Sequence, residues 1–257
     1  MRIDNRMHKI IYLIAIISVL SSCKTKLIVT DFKAENIANY QNISTTDSSL
    51  LAFVNPYSTE INREMQTVIA ISDVELVKKK PESLLTNYMA DILLYEGQIY
   101  ASKHQAHPIP ELAYLNYGGL RTDLPRGKIT VGKIFELMPF ENEMVLLRLK
   151  GDDLNAMARM IAAKGGDSVA GITLTIKDGK PGLFLINNKP VQNNKEYWIV
   201  TNDYVANGGD NMTMFGNRTM FINTGIKLRD CFINHLQRDY DAGKIISPKL
   251  DGRISHE

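Results

Sequence analysis

Along the chain, apolar residues recur every three or four positions in some stretches and alternate or run together in others. The first spacing lines one face of a helix; the second suits a strand. Ile61, Met65 and Ile69 lie four apart and predict a helix over Pro56 to Ile69. Val68 to Val77 alternates and predicts a strand. Pro81 suits the first position of a helix, where its missing N–H has no partner in any case. Leu84, Leu85, Tyr88, Met89 and Ile92 then follow on one face. Leu112 to Leu115 predicts a short buried strand, and Val131 to Met138 a short helix closed by Pro139. Further strands are expected at Met144 to Leu149, Ile172 to Ile176, Leu183 to Ile186 and Tyr197 to Thr201. A helix over Asp152 to Ala163 ends at Gly165-Gly166, as glycine commonly ends helices. An amphipathic helix over Ile226 to Tyr240 closes the pattern. These elements describe a single α+β domain, mixed helix and sheet, of about 200 residues, a size that buries a substantial core.

The first residues follow another pattern. Arg2, Arg6 and Lys9 precede the apolar run Ile10 to Leu20, which is followed by Ser21-Ser22-Cys23. A basic stretch, a short apolar core and small residues make an export signal; the run is too short for the roughly 18–20 residues of a spanning helix. The small residues before Cys23 resemble the lipobox of bacterial lipoproteins, in which the cysteine is cut free and acylated. Residues 1–22 are therefore expected to be a signal peptide, residues 23–49 a polar tether and residues 50–257 the folded domain. A buried N-terminal helix is the other reading of the apolar run. Lipid on Cys23 would anchor the protein to the cell envelope, on its periplasmic side.

Cleavage changes the charge. The whole chain has 30 Lys+Arg against 28 Asp+Glu. Removing residues 1–22 takes away three basic residues and Asp4, leaving 27 against 27. A neutral chain lacks the electrostatic footprint of a general nucleic-acid binder. With Cys23 acylated, Cys231 stands alone and no intrachain disulfide can form.

Four segments crowd small, aromatic and charged residues beside strand ends. Asn116-Tyr117-Gly118-Gly119-Leu120-Arg121 follows an apolar strand. Paired glycines allow close backbone approach, and the fork of Arg121 suits phosphate; a tight turn with a surface arginine is the plainer reading. In Leu137-Met138-Pro139-Phe140-Glu141-Asn142, Phe140 could stack on a flat ring while Asn142 reads its edge, or Phe140 could be core. In Asn202-Asp203-Tyr204-Val205-Ala206-Asn207-Gly208-Gly209-Asp210, the carboxylate could accept from both ribose hydroxyls, or the segment could be a turn capped by its own side chains. Lys78-Lys79-Lys80 precedes a helix start and could supply charge to phosphate, or could be a solvated loop.

At these residues the chain resembles the C-terminal, substrate-binding domain of 5'-nucleotidases, from about Phe53 to Gln237. The resemblance rests on Asn55-Pro56-Tyr57, Pro81-Glu82-Ser83, the Asn116 to Arg121 segment, Met138-Pro139-Phe140, Thr201-Asn202-Asp203-Tyr204, Gly208-Gly209-Asp210 and Asn223-Thr224-Gly225, in that order. It implies that Phe140 and Tyr204 sandwich a nucleobase, Asn116 and Asn142 touch its edge, Asp210 holds the ribose and Arg121 the phosphate. It places Lys79 where a second phosphate-binding arginine often sits, and the backbone near Gly171 beside the base. Glu141 and Thr86 stand where glycine is usual, Tyr117 where a small residue is, and Tyr204 where phenylalanine is.

The same resemblance puts catalysis elsewhere, in a metallophosphatase domain whose two metals are held by Asp, His and Asn. No Asp-x-His or Gly-Asn-His-Asp segment occurs in these 257 residues. His104 and His107 with Glu111 lack an evident fourth ligand, and a loop beside Pro108 and Pro110 explains them better. The expectation is a nucleotide-recognition part of a 5'-nucleotidase-type hydrolase that needs no cofactor of its own. It would bind a nucleoside 5'-monophosphate or nucleoside and work with a separate metallophosphatase that carries the divalent metals. The alternatives are a non-catalytic nucleotide- or nucleoside-binding envelope lipoprotein, and a structural lipoprotein whose pocket has drifted.

Overall fold

The computed structural model describes Asp31, Lys33, Ala34, residues 48–104 and residues 109–257. The expected signal segment, Cys23 and most of the tether lie outside the described residues, as does His107. In chain order the helices and strands are α1 (Ser48–Met65), β1 (Val68–Ser72), α2 (Leu84–Lys103), β2 (Leu112–Leu115), β3 (Gly127–Thr130), α3 (Val131–Leu137), β4 (Glu143–Lys150) and α4 (Gly151–Ala163). There follow β5 (Ser168–Ala170), β6 (Ile172–Lys177), β7 (Lys180–Ile186), β8 (Lys189–Pro190), β9 (Glu196–Asn202), α5 (Asp203–Ala206), β10 (Met220–Lys227), α6 (Leu228–Asp241) and β11 (Ile254–His256). Ala52–Glu257 is one compact unit.

A five-stranded sheet in the order β10-β4-β9-β2-β5 forms its centre. Within it β2 and β9 run parallel, with Leu112 opposite Ile199 and Ala113 opposite Val200. The other pairings of this sheet are antiparallel. β1 pairs with β3, and β11-β6-β7-β8 make a smaller sheet in which β11 is parallel to β6.

Successive strand residues point to opposite faces, and both faces of the central sheet are covered. Ala113, Leu115 and Val200 join one core with Leu85, Met89 and Leu93 of α2 and Phe232 and Leu236 of α6. Leu112, Tyr114 and Ile199 join another with Leu154, Met157 and Ile161 of α4 and Leu174 and Ile176 of β6. Two-sided burial is why Leu112–Leu115 reads as an unbroken apolar run. Each fully buried leucine contributes roughly 1.5–3 kcal/mol. The architecture is the mixed α+β domain that the sequence predicts.

Several expected boundaries move. The helix expected over Pro56 to Ile69 runs instead from Ser48 to Met65, with Pro56 inside it. None of its described residues is buried, whereas Ile69 is 1% exposed as part of β1. Ile69 thus continues the four-residue spacing by coincidence; the core claims it as strand. β1 itself stops at Ser72, short of Val77. Pro81 does not open α2. Ser83 is the cap: its hydroxyl accepts from the Thr86 N–H at 3.2 Å, and Thr86 Oγ1 accepts from the Ser83 N–H at 2.8 Å. This reciprocal capping box outcompetes a proline start, and it accounts for Thr86. The closing helix starts at Leu228, because Ile226 and Lys227 belong to β10. β10 escapes sequence reading because most of its residues are exposed and its hydrogen bonds go to a distant segment, β4.

Helix α2 crosses the central sheet at Gly97. A Cβ there would lie 2.8 Å from Val200 Cγ2 and 2.9 Å from Val200 Cβ. In an exposed helix, Gly→Ala stabilises by roughly 0.8–1.0 kcal/mol. Here Gly97→Ala is expected to destabilise by about 1–3 kcal/mol through overpacking, read as a lower urea midpoint.

Candidate functional site

Because β2 and β9 are adjacent and parallel, their carboxyl ends leave the sheet together. Asn116 follows β2, and Asn202 ends β9. Asn202 Nδ2 donates to Asn116 Oδ1 at 3.0 Å, and Asn202 Oδ1 caps α5 by accepting from the Val205 N–H at 2.8 Å. Asn116 Nδ2 donates in turn to Asp210 Oδ2 at 2.7 Å. The Tyr204 hydroxyl donates to Asp210 Oδ1 at 3.3 Å. One amide thereby ties three chain segments together.

Glycine is required at two points around this group. A Cβ on Gly119 would meet Asn116 Oδ1 at 2.9 Å, and one on Gly209 would enter the Tyr204 ring at 2.5 Å. Asp210 itself lies in the left-handed region, at φ 52° and ψ 31°.

These residues open onto a cavity of about 280 Å³ lined by Asn116, Gly118, Gly119, Arg121, Phe140, Asn142, Tyr204 and Asp210. Its volume is at the low end of small-molecule sites, roughly 300–1,000 Å³. Phe140 is 41% exposed and Tyr204 47%, so neither ring is core. The Arg121 guanidinium lies 6.0 Å from the Phe140 ring centre, and Arg121 Nη1 donates to the Gly118 carbonyl at a long 3.4 Å. The Asn142 side chain makes no hydrogen bond among the described residues; its backbone carbonyl accepts from the Leu228 N–H.

Six of the eight residues expected to bind substrate therefore line one cavity: Asn116, Arg121, Phe140, Asn142, Tyr204 and Asp210. Lys79 and Gly171 do not. Lys79 is exposed and outside the cavity. Its neighbours turn inward instead: Lys78 Nζ donates to the Tyr117 carbonyl at 3.0 Å and lies 4.0 Å over the Tyr117 ring, with Lys80 Nζ at 4.9 Å. Burial, and then the nearby Arg121 charge, lower the Lys78 ammonium from its ordinary range. Tyr117 is thus a shelf for two cations. Gly171 lines a separate cavity with Asn187, Asn188 and Arg253. A Cβ on Gly171 would strike the Glu111 carbonyl, so packing between strands accounts for this glycine.

Two residues emerge that sequence reading passed over. Asp167, 2% exposed, accepts from the Tyr114 hydroxyl at 2.7 Å, the Tyr117 N–H at 2.6 Å and the Ser168 N–H at 3.0 Å, and so holds the loop after β2. Burial raises its carboxyl, and those hydrogen bonds oppose the rise. Lys164 donates to the Asp210 main-chain carbonyl at 2.6 Å. Their one sequence signal is that they flank the helix-ending Gly165-Gly166.

Glu141 brings no uncompensated charge to the rim. Its carboxylate is paired with Lys227 and with Arg229, whose guanidinium lies 4.1 Å over the Phe135 ring. As for metals, no group of three or more His, Cys, Asp or Glu among the described residues is placed to hold one. His104 stacks on Tyr100, ring centres 4.2 Å apart.

The fold and the cavity describe a mixed α+β domain, and comparison with known proteins identifies its family. Residues 65–217 match the 5'-nucleotidase C-terminal domain family, and the chain belongs to it. Among curated relatives, a 5'-nucleotidase of Vibrio vulnificus is 24% identical over 205 residues, covering 78% of this chain and 36% of the relative. The trifunctional nucleotide phosphoesterase protein YfkN of Bacillus subtilis is 28% identical over 189 residues, covering 67% of this chain and 12% of the relative. The chain therefore spans about a third or less of these proteins. A 5'-nucleotidase precursor from Thermus thermophilus has a crystal structure that superposes with a TM-score of 0.66 at 26% identity, covering 81% of this chain and 42% of the other.

The pairing of Glu141 predicts its titration. The Lys227 hydrogen bond first, then that of Arg229, hold its carboxyl down to about 2. The stability that the pairing contributes is then complete above the ordinary glutamate value of 4.5 and is lost as pH falls through about 2. Carboxyl carbon NMR should show Glu141 ionised at pH 3, and Lys227→Met should move its midpoint back toward 4.5.

Proposed function

We propose that this domain recognises nucleoside 5'-monophosphates for a 5'-nucleotidase-type hydrolysis. The observation that carries the reading is the convergence of two half-exposed rings, a carboxylate, an arginine and two amides on one cavity. In this reading Phe140 and Tyr204 take the base between them, where each stacked ring is worth roughly 1–3 kcal/mol. Asn142, with its unbonded amide, and Asn116 read the base edge. Asp210 accepts from the ribose hydroxyls. Arg121 meets the phosphate, with Lys78 rather than Lys79 as the nearer ammonium.

Hydrolysis would require a metal centre supplied from outside these 257 residues. Two metals clamp the attacking and leaving oxygens in such reactions; the residues here would do the binding and orienting that position the phosphate for attack. We assign that centre to a separate metallophosphatase. Acylation at Cys23 would hold the domain at the envelope surface. Among the described residues no helix is long and apolar enough to cross a membrane.

Calorimetric titration of the full chain with AMP, adenosine and adenine tests the pocket. Saturable binding is expected, weakened by roughly 1–3 kcal/mol in Phe140→Ala and lost more for adenosine than for adenine in Asp210→Ala. Unchanged affinity in Phe140→Ala would sink the stacking role.

Mixing the chain with an exported metallophosphatase tests the partnership. AMP hydrolysis is expected to exceed that of the phosphatase alone. Tight nucleoside binding without any such gain would leave a binding lipoprotein as the function.

A further inference from the structure

We infer that Lys164 is a positioning residue for the sugar-reading carboxylate: by holding the backbone of Asp210, it aims that side chain into the cavity without touching a ligand. The inference rests on the ribose reading proposed above for Asp210.

The turn that carries Asp210 is strained. Gly208, Asp210 and Asn211 all have positive φ, at 91°, 52° and 63°. Asp and Asn tolerate this region better than other side chains, as Asn187 and Asn188 do in the β7–β8 turn, but at a modest backbone cost. The Tyr204 hydroxyl reaches the Asp210 N–H at 3.4 Å and Oδ1 at 3.3 Å, both long. Asn116 bonds the carboxylate itself, at 2.7 Å. The strong contact to the main chain is the ammonium of Lys164 on the Asp210 carbonyl, at 2.6 Å. A charge-assisted hydrogen bond is about twice as strong as a neutral one, and this one acts on the strained peptide directly.

Lys164 is itself firmly placed. It follows the last residue of α4, and the chain then reverses: Gly165 N–H donates to Ala162 O and Gly166 N–H to Ile161 O, each at 3.0 Å. This is a Schellman closure, with both glycines at positive φ. A Cβ on Gly166 would strike the Pro81 carbonyl, so glycine lets this corner close on the segment after Lys80. Lys80 Nζ fastens the same corner by donating to the Lys164 carbonyl at 2.6 Å. The adjacent carboxylate of Asp167 already accepts three hydrogen bonds, from Tyr114, Tyr117 and Ser168. Lys164 does not line the cavity. Its ammonium therefore serves the peptide of Asp210, and through it the direction of the carboxylate.

A group acting this way affects the sugar more than the base. The vicinal hydroxyls of a ribose need the carboxylate directly; the base meets it only at second hand, through the contacts of Asp210 with Tyr204 and Asn116. Calorimetric titration of the full chain with adenosine and with 2',3'-dideoxyadenosine separates the two. In Lys164→Met, adenosine affinity is expected to fall about tenfold, the scale of one hydrogen bond to a charged group, while dideoxyadenosine affinity falls by no more than about threefold, the scale of a neutral hydrogen bond. Lys164→Arg keeps a cationic donor and is expected to hold the wild-type preference to within about threefold. A preference unchanged in Lys164→Met, an equal loss of both nucleosides, or the same loss in Lys164→Arg as in Lys164→Met overturns the inference. A wild-type chain that does not distinguish the two nucleosides overturns the ribose reading instead, and that outcome is read before any variant is made.

Discussion

When two neighbouring strands run parallel and in register, the residues just beyond their carboxyl ends come side by side. Here that constraint brings Asn116 and Asn202 to 3.0 Å. The placement of Tyr204 and Asp210 at the cavity depends on this meeting. Asn202 caps the short helix that carries Tyr204, and Asn116 reaches on to Asp210. A buried amide must satisfy both its donors and its acceptor or lose stability. Here the satisfaction of the two asparagines sets the positions of the aromatic and acidic groups around them. Open α/β sheets bind ligands at the carboxyl ends of parallel strands for the same topological reason. One parallel pair within an otherwise antiparallel sheet is enough to create such an end.

Charge around the cavity is arranged in pairs rather than left to solvent. Glu141 faces Lys227 and Arg229, Asp167 is buried under three donors, and Lys78 and Lys80 lie over the Tyr117 ring. Cations over an aromatic face gain from its quadrupole. Three residues at which the resemblance implied other residue types have local partners. Tyr117 supports two lysines, Thr86 completes a capping box with Ser83, and Glu141 joins a cationic pair. None of the three places an obstruction among the residues that line the cavity.

Left-handed backbone and exposed rings meet at the cavity. The left-handed Asp210 and Asn211, the glycine pressed to the Tyr204 ring, and two rings more than two-fifths exposed all sit around one cavity. A folded domain with two well-covered cores has no packing need for Phe140 or Tyr204 to remain outside. Leaving large rings exposed costs the burial they would otherwise gain, roughly 1.5–3 kcal/mol for a phenylalanine. Such a cost is understandable where the rings have a ligand to cover them, and this is the physical ground of the proposed role.

Local patterns carried much of this protein. The unbroken run Leu112–Leu115 marked a strand buried on both faces, and Gly165-Gly166 marked the end of α4, because burial and helix termination act through residues close in the chain. The residue types at Asn116, Arg121, Phe140, Tyr204 and Asp210, in their order along the chain, pointed to the family, and the structure brings them to one cavity. Long-range partners decided the rest. Ile69 became strand because a core residue was needed there, β10 formed because β4 offered it an edge, and Lys78 replaced Lys79 as the inward cation because the Tyr117 carbonyl lay 3.0 Å away. The roles of Lys164 and Asp167 could not be read from the sequence for the same reason. Apart from Ser168, the partners named for them lie tens of residues away, and a hydrogen bond across that distance leaves no periodicity to read. Spacing specifies what a segment can form; only the packed structure determines which distant groups it meets.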